Sequence, residues 1–487
     1  MATAPAYQPE NLPSDERSIP TVASAGAMLL ARDVSATDLL EGVLERIDRM
    51  DKEIATYVHV DAEGARTAAR EADQEIAAGR WRGPLHGIPF GVKDNYDTAG
   101  LPSQAGSRLR LGRIAADDAF LIAKLKAAGA VLVGKLATWE YGTGNGGEYF
   151  DTPFRPTRNP WDPQRFPGAS STGAGAAVAA GTALFALGSD TTGSVRLPAA
   201  ACGVLSIKPS HGLLGRSGIL PNCYSLDAPG ALTWTAEDQA LVLDAIVGQD
   251  PGDPASVAPR TRDHGRDLNL GIAGLRIAVV RDMGPDMPVP DGAMSRAFDA
   301  GIEVLKSLGA HVVETRLPFS VMECFSATRM IGPAESAAIH EEEMRTRAGE
   351  MGFALRDKLL SGSMVRAVDY VAAQRFRRAV AEQVETFLRP FDALVTFGTL
   401  KPAPLLGSGQ EMFDYIGNTA LTPFNLSGHP ALIQCTGFSD ASLPLSWQLV
   451  GHRYAEAMLL RVAAAYERAT PWRERRPALL ETARKSS

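Results

Sequence analysis

The chain has 487 residues, 45% of them apolar and 22% charged, with a formal net charge of −7. That is the make-up of an ordinary globular protein with enough chain for a large core. The negative balance offers no general attraction to phosphate backbones, so nucleic acid is not an expected partner. No run approaches the ~18 apolar residues of a membrane span. The start, MATAPAYQPENLPSDERS, lacks the apolar centre of a secretory signal. Cys202, Cys223, Cys324 and Cys435 form no CxxC pair and have no histidines at metal-binding spacing, so they read as buried thiols in a reducing compartment. The expectation is a cytoplasmic protein that crosses no membrane and needs no metal or cofactor.

Residues 1–20 are rich in proline and polar side chains and read as a loose arm ahead of one domain over 21–480. Ser35 precedes Ala-Thr-Asp and then LLEGVLERIDRM, whose apolar residues recur at helical spacing, so Ser35 is the expected N-cap of a helix. A second helix is expected over 62–78 and an apolar strand-like run over 85–92. Residues 118–135 and 293–314 share one plan: helix, glycine, strand. The second is preceded by a strand-like LRIAVV at 275–280. Such alternation implies crossover units and a parallel or mixed sheet covered by helices. The Pro- and Asp-rich stretch 248–269 reads as a surface excursion. Residues 330–390 read as a variable helical cap over a pocket, and PWRERRP at 471–477 as a solvated turn.

Three side chains stand out chemically. Ser194 sits in SDTTGSVRLP, where Gly193 permits close backbone approach. The N–H groups of Thr191, Thr192, Gly193 and Ser194 would form a nest for an oxyanion; the same stretch reads equally as a tight turn between strand and helix. Ser170 lies in GASSTGAGAAVAAG, which runs into an alanine-rich buried helix. A phosphate loop fits the G-x-x-x-x-G of residues 168–173 but not Ala174 and Gly175, where Lys and Ser or Thr are required. Lys93 follows the strand-like IPFGV, where burial lowers a lysine pKa and makes it a proton acceptor. Pairing with Asp94 or Asp97 is the bland alternative. There is no G-x-S-x-G elbow, S-x-x-K or H-E-x-x-H.

With LHGIPFGVKDNYDTAGLPSQAGS, LKAAGAVLVGK, NPWDPQRFPGASSTGAGAAVAAG and LGSDTTGSVRLPAAACGVLSIKPSHG in order, the chain resembles the amidase signature family of serine hydrolases. TPFNLSGHPAL, LPLSWQLVG and YERATPW near the carboxyl end fit as well. The resemblance implies a single α/β domain, a mixed twisted sheet flanked by helices on both faces. It implies Ser194 as nucleophile, Lys93 as general base, and Ser170 as the bridge between them, with a cis Ala169–Ser170 peptide. Ser171, Asp190 and Arg196 would support the catalytic loop. Trp139, Tyr141, Gly142 and Thr143, in WEYGTGNGG, fall where the family builds its substrate cleft, though a plain loop reads equally well. Ala169, Thr172 and Thr192 depart from the family's usual glycines and serine-rich run.

The resulting expectation is a stand-alone amidase, monomeric or homodimeric. Its substrates would be small or aryl amides, with aryl carbamates (urethanes) and esters as side substrates. The alternatives are the glutaminase subunit of a tRNA-dependent amidotransferase, which the three departures weigh against, and a catalytically silent scaffold, which the retained serines and lysine weigh against.

Overall fold

The structure is a computed structural model that describes residues 19–144 and 151–479. All but the last two residues of the expected arm lie outside this range. Among the described residues the strands are β1 (Tyr57–Val60), β2 (Pro89–Lys93), β3 (Val131–Leu136), β4 (Phe185–Asp190), β5 (Leu205–Lys208), β6 (Ala228–Thr233), β7 (Arg276–Val280), β8 (His311–Glu314), β9 (Ala393–Phe397), β10 (Ala431–Phe438) and β11 (Pro444–Val450). They form one sheet in the order β1-β3-β2-β4-β6-β5-β10-β11-β9-β7-β8. Pairing is parallel for β3–β2–β4 and for β9–β7–β8, and antiparallel elsewhere. This is the single mixed α/β domain that the motifs imply. The central strands β2, β3, β10 and β11 read as nearly continuous apolar runs because helices cover both of their faces.

Local chemistry explains the elements. Ser35 caps the helix Ala36–Ile54: its hydroxyl accepts from the Asp38 N–H, and the Asp38 carboxylate accepts from the Ser35 N–H. Asp61 caps Ala62–Ala77 one way only, its carboxylate accepting from the Gly64 N–H. The two helix–glycine–strand plans become Phe120–Ala127 with β3, and Gly292–Ser307 with β8. The stretch 248–269 holds no helix or strand, yet it is anchored by a buried Asp253 that pairs with Arg216.

The PWRERRP turn is not simply solvated. Arg473 and Arg476 lie over the Trp234 ring at 4.5 and 3.4 Å, and their guanidinium groups donate to the carbonyls of Trp234, Gly203 and Val178. Local composition could not show this, because the acceptors come from remote segments. Over 330–390 the chain is helical. The helix Phe353–Ser363 packs on Val321–Ile339, and Met351, Leu355 and Leu359 cluster with Tyr141, Ala105 and Leu109.

Because β2 and β4 run parallel side by side, with Phe90 opposite Phe185 and Val92 opposite Leu187, their carboxyl ends bring Lys93 and Asp190 to one edge of the sheet. That edge is where parallel α/β sheets bind ligands. The helix Thr172–Ala180 is buried along its whole length and carries Ser170 and Ser171 at its amino end. Gly173 lets it lie directly against the Thr56 carbonyl, a space that a Cβ would fill.

Candidate active site

Three separate segments converge at this edge. Lys93 ends β2, Ser170 and Ser171 precede the buried helix, and Ser189 and Asp190 end β4. Ser194 lies in the turn before the helix Arg196–Cys202. Lys93 Nζ is 2.8 Å from Ser170 Oγ and 3.0 Å from Ser189 Oγ, and the lysine is fully buried. Burial pushes its ammonium down to about 7, against the opposing pull of Asp227 and Asp190. The expected alternative partners are engaged elsewhere, Asp94 facing Lys135 at 3.5 Å and Asp97 pairing with Arg113. The Ala169–Ser170 peptide is cis. The Ser171 N–H donates to the Ser194 carbonyl at 3.1 Å, which ties the two serine segments together. Ser194 is 8% exposed, and its hydroxyl has no hydrogen-bond partner among the described residues.

The turn holding Ser194 is built around Asp190. Its carboxylate accepts from the Gly193 N–H at 2.7 Å, the Val195 N–H at 3.2 Å and Asn425 Nδ2 at 2.8 Å, and it takes a two-pronged contact from Arg196 at 3.0 Å. Arg196 also donates to the Leu421 carbonyl, Gln448 and Asn425. Burial alone would raise the Asp190 pKa; the Arg196 guanidinium outweighs it and holds the carboxyl well below the usual range. Gly193 is required here: its φ is +126°, and a Cβ would meet Leu421 at 2.8 Å. One expectation is corrected by this network. The Gly193 N–H is committed to Asp190, so it is not available to an oxyanion.

Beside the serines lies a cavity of about 280 Å³. Lys93, Ser170 and Ser194 do not line it themselves; it meets them through Ser189, Thr191 and Gly142. Tyr141 and Gly142 form part of its wall. Thr143 is one residue further along and accepts from Lys358 Nζ at 3.2 Å. Trp139 is not on the wall. It is 3% exposed and packs against Phe166 at 5.8 Å between ring centres, so the indole belongs to the core beneath the cleft. Residues 145–147 of the same segment lie outside the described residues.

Several groups at this site carry no sequence signal. Asp227 lines the cavity and is half-buried. Burial raises its carboxyl, while hydrogen bonds from Thr191 Oγ1 at 2.6 Å and from the Cys223 and Asn222 amides work in the other direction. Lys358, on Phe353–Ser363, donates to Asn222 Oδ1 and Thr143, and burial pushes it down to about 8. Ser189 and Asn95 complete the surroundings of Lys93.

A serine, a second serine and a buried lysine gathered at the carboxyl ends of parallel strands define the amidase signature class. The family model for amidases matches residues 38–460, and the chain belongs to that family. A glutamyl-tRNA(Gln) amidotransferase subunit of Chloroflexus aurantiacus is 38% identical, over 94% of this chain and 98% of its own. Among solved structures, the like-named subunit from Thermotoga maritima is 30% identical with a TM-score of 0.78, covering 94% of this chain and 96% of that one. Another comes from an unexpected vestigial protein complex that reveals the evolutionary origins of an s-triazine catabolic enzyme. It is 32% identical with a TM-score of 0.84, over 92% of this chain and 98% of that one.

These relatives correct two expectations. The stand-alone amidase for small or aryl amides and carbamates gives way, because relatives matched over almost their full length at 34–38% identity are amidotransferase subunits. The lone monomer or homodimer without macromolecular partners gives way on the same finding. Amide C–N chemistry stands. No helix among the described residues is long and apolar enough to cross a membrane.

Proposed function

We propose that the chain is the amide-cleaving subunit of a glutamine-dependent amidotransferase. On this reading it releases ammonia from glutamine for transfer to glutamyl-tRNA(Gln) held by partner subunits. The observation that carries this reading is the pairing of opposite charges at the cavity: the Asp227 carboxylate on the wall, and Lys358 reaching Asn222 and Thr143 at its rim. Arg216 and Asp253 on the same wall neutralise one another at 2.8 Å, which leaves Asp227 and, behind Asn222, Lys358 as the opposite charges for the ammonium and carboxylate that an α-amino acid carries on one carbon. A simple aryl amide uses neither.

The chemistry follows from proton positions. Neutral Lys93 takes the Ser170 proton as Ser170 takes that of Ser194, and Ser194 Oγ attacks the side-chain amide carbon. The amides of Thr191, Thr192 and Ser194 hold the oxyanion. The relay returns a proton to the departing nitrogen, releasing ammonia. Water then cleaves the acyl-enzyme to glutamate. The helices over 330–390 act as the cap, with Lys358 reaching the pocket through Asn222 and Thr143. The four buried free cysteines suit a cytoplasmic enzyme.

The test is ammonia release from glutamine by the purified chain, by itself and with co-purifying subunits, with Ser194→Ala as the blank. Lys358→Met should raise KM for glutamine about 10- to 100-fold, the worth of one charge-assisted hydrogen bond. It should leave KM for propionamide, which has no α-carboxylate, unchanged. Equal effects on the two amides would remove the zwitterion reading. Activity should also climb with pH through about 7 as Lys93 loses its proton. A profile flat from about pH 5 to 9 would argue against a lysine base.

A further inference from the structure

Lys93 Nζ has a second neighbour besides Ser170, and that neighbour has a partner of its own. Ser189 Oγ lies 3.0 Å from Lys93 Nζ and 3.2 Å from Asn95 Nδ2. Asn95 is 5% exposed, and its Oδ1 is buried without a hydrogen-bond partner among the described residues. With the amide in this sense Ser189 accepts from both neighbours, and its own proton is left to the cavity that it lines. A half-turn of the Asn95 amide exchanges two atoms of nearly equal size. The Ser189 hydroxyl then donates to Asn95 Oδ1, the Ser189 proton gains an acceptor, and Nδ2 takes the place that Oδ1 held.

We propose that Asn95 and Ser189 form a positioning pair for Lys93: Ser189 accepts an N–H from Lys93 and donates its own proton to Asn95 Oδ1, leaving the lysine lone pair aimed at the Ser170 hydroxyl. The inference rests on the reading of Lys93 as base. A neutral amine has two N–H bonds and one lone pair. Committing one N–H to Ser189 narrows the three settings of the last side-chain bond to two, one of which turns the lone pair to the Ser170 proton that it must accept. When Lys93 takes that proton the Ser189 contact persists, so nothing in the pair reorganises during the transfer. Neither Asn95 nor Ser189 takes a proton from substrate; both act through the lysine.

The pair also leaves a signature in pH dependence. A hydrogen bond to Ser189 Oγ is stronger from an ammonium than from an amine. Removing the hydroxyl therefore disfavours the charged form and lowers the Lys93 pKa further. The other charged groups bearing on Lys93 are Asp227, just before β6, and Asp190, at the end of β4. Asp94, next in the chain, is turned to Lys135, and the serines ahead of the helix Thr172–Ala180 add no charge.

The experiment is the pH dependence of Ser194 labelling by a small fluorophosphonate, which reads nucleophile activation without glutamine or partner subunits. Ser189→Ala should label about tenfold more slowly at its alkaline plateau, with its midpoint displaced about half a unit to one unit toward acid. Ser189→Thr, which keeps the hydroxyl, should restore both. Asn95→Asp, which places a carboxylate behind Ser189, should move the midpoint the opposite way, by about one unit toward alkali. If Ser189→Ala fails to fold by circular dichroism, the threonine and Asn95→Asp proteins decide the matter by the same readout. A lowered plateau with an unmoved midpoint in Ser189→Ala, or an unmoved midpoint in Asn95→Asp, overturns the pair. An unlabelled wild type removes the pair together with the nucleophile. A wild type that labels normally yet never hydrolyses glutamine overturns the glutaminase reading alone.

Discussion

Ser194→Ala is expected to abolish acyl-enzyme formation and to lower kcat on the order of a millionfold, and Lys93→Ala to lower it about 1,000- to 10,000-fold. Because the proposed relay runs through Lys93, Ser170 and Ser194 in one path, the losses should not add. The Lys93→Ala/Ser194→Ala double variant should be no slower than Ser194→Ala alone. Neither side chain lines the cavity, so glutamine affinity should stay within about threefold of wild type in each, a difference of less than about 1 kcal/mol. The measurement is steady-state ammonia release together with calorimetric binding of glutamine to the inactive variants. Residual activity in Lys93→Ala should have lost its rise through about pH 7, because the group that titrates there is gone. A Lys93→Ala protein within about tenfold of wild type, or one that keeps the wild-type pH profile, would assign the base to another residue.

The parts of the site that are legible in the sequence are those carried by contiguous motifs. Lys93, Ser170, Ser194, Asp190 and Arg196 each sit in a short run whose residue types announce a backbone requirement. What stays hidden is assembled across the fold. Asp227 reaches the cavity from the segment before β6, and Lys358 reaches its rim from a helix far along the chain. Ser189 stands in view within a motif but gives no sign of facing Lys93, which depends on the alignment of β2 against β4. The Gly193 amide misleads because a run of N–H groups looks like a nest until the carboxylate that uses one of them is seen.

The departures from the family's glycines mislead for a physical reason. None of Ala169, Thr172 and Thr192 is among the residues with positive φ, so these positions do not demand glycine. Thr172 even finds an acceptor in the Ala137 carbonyl at 3.1 Å. Substitutions that leave the backbone undisturbed say nothing about substrate class, so they carry no weight against an amidotransferase.

Arg196→Leu should be the most destabilising single change near the site, by about 3–5 kcal/mol in denaturant unfolding, because it strands a buried carboxylate. Asp190 and Arg196 are both fully buried, and together they set the turn: Asp190 grips the amides on either side of Ser194 only while it is ionised. In the wild type the Asp190 pKa is depressed, so its contribution is present above the ordinary carboxylate value near 4 and fades as pH falls through the folded value. In the variant burial acts unopposed and the folded pKa rises above the unfolded one. The unfolded state then releases this proton more readily, and the stability of the variant declines as pH rises. The gap between the two proteins should therefore be smallest near about pH 4 and widen toward about pH 7. Asp190→Asn/Arg196→Met, which removes both charges, should recover part of the loss, since no ion is left without its partner. A deficit constant across that range would mean that lost packing around the guanidinium, and not the stranded charge, accounts for the damage. In that case Ser194 would hold its position, and labelling by fluorophosphonate would survive wherever the variant remains folded.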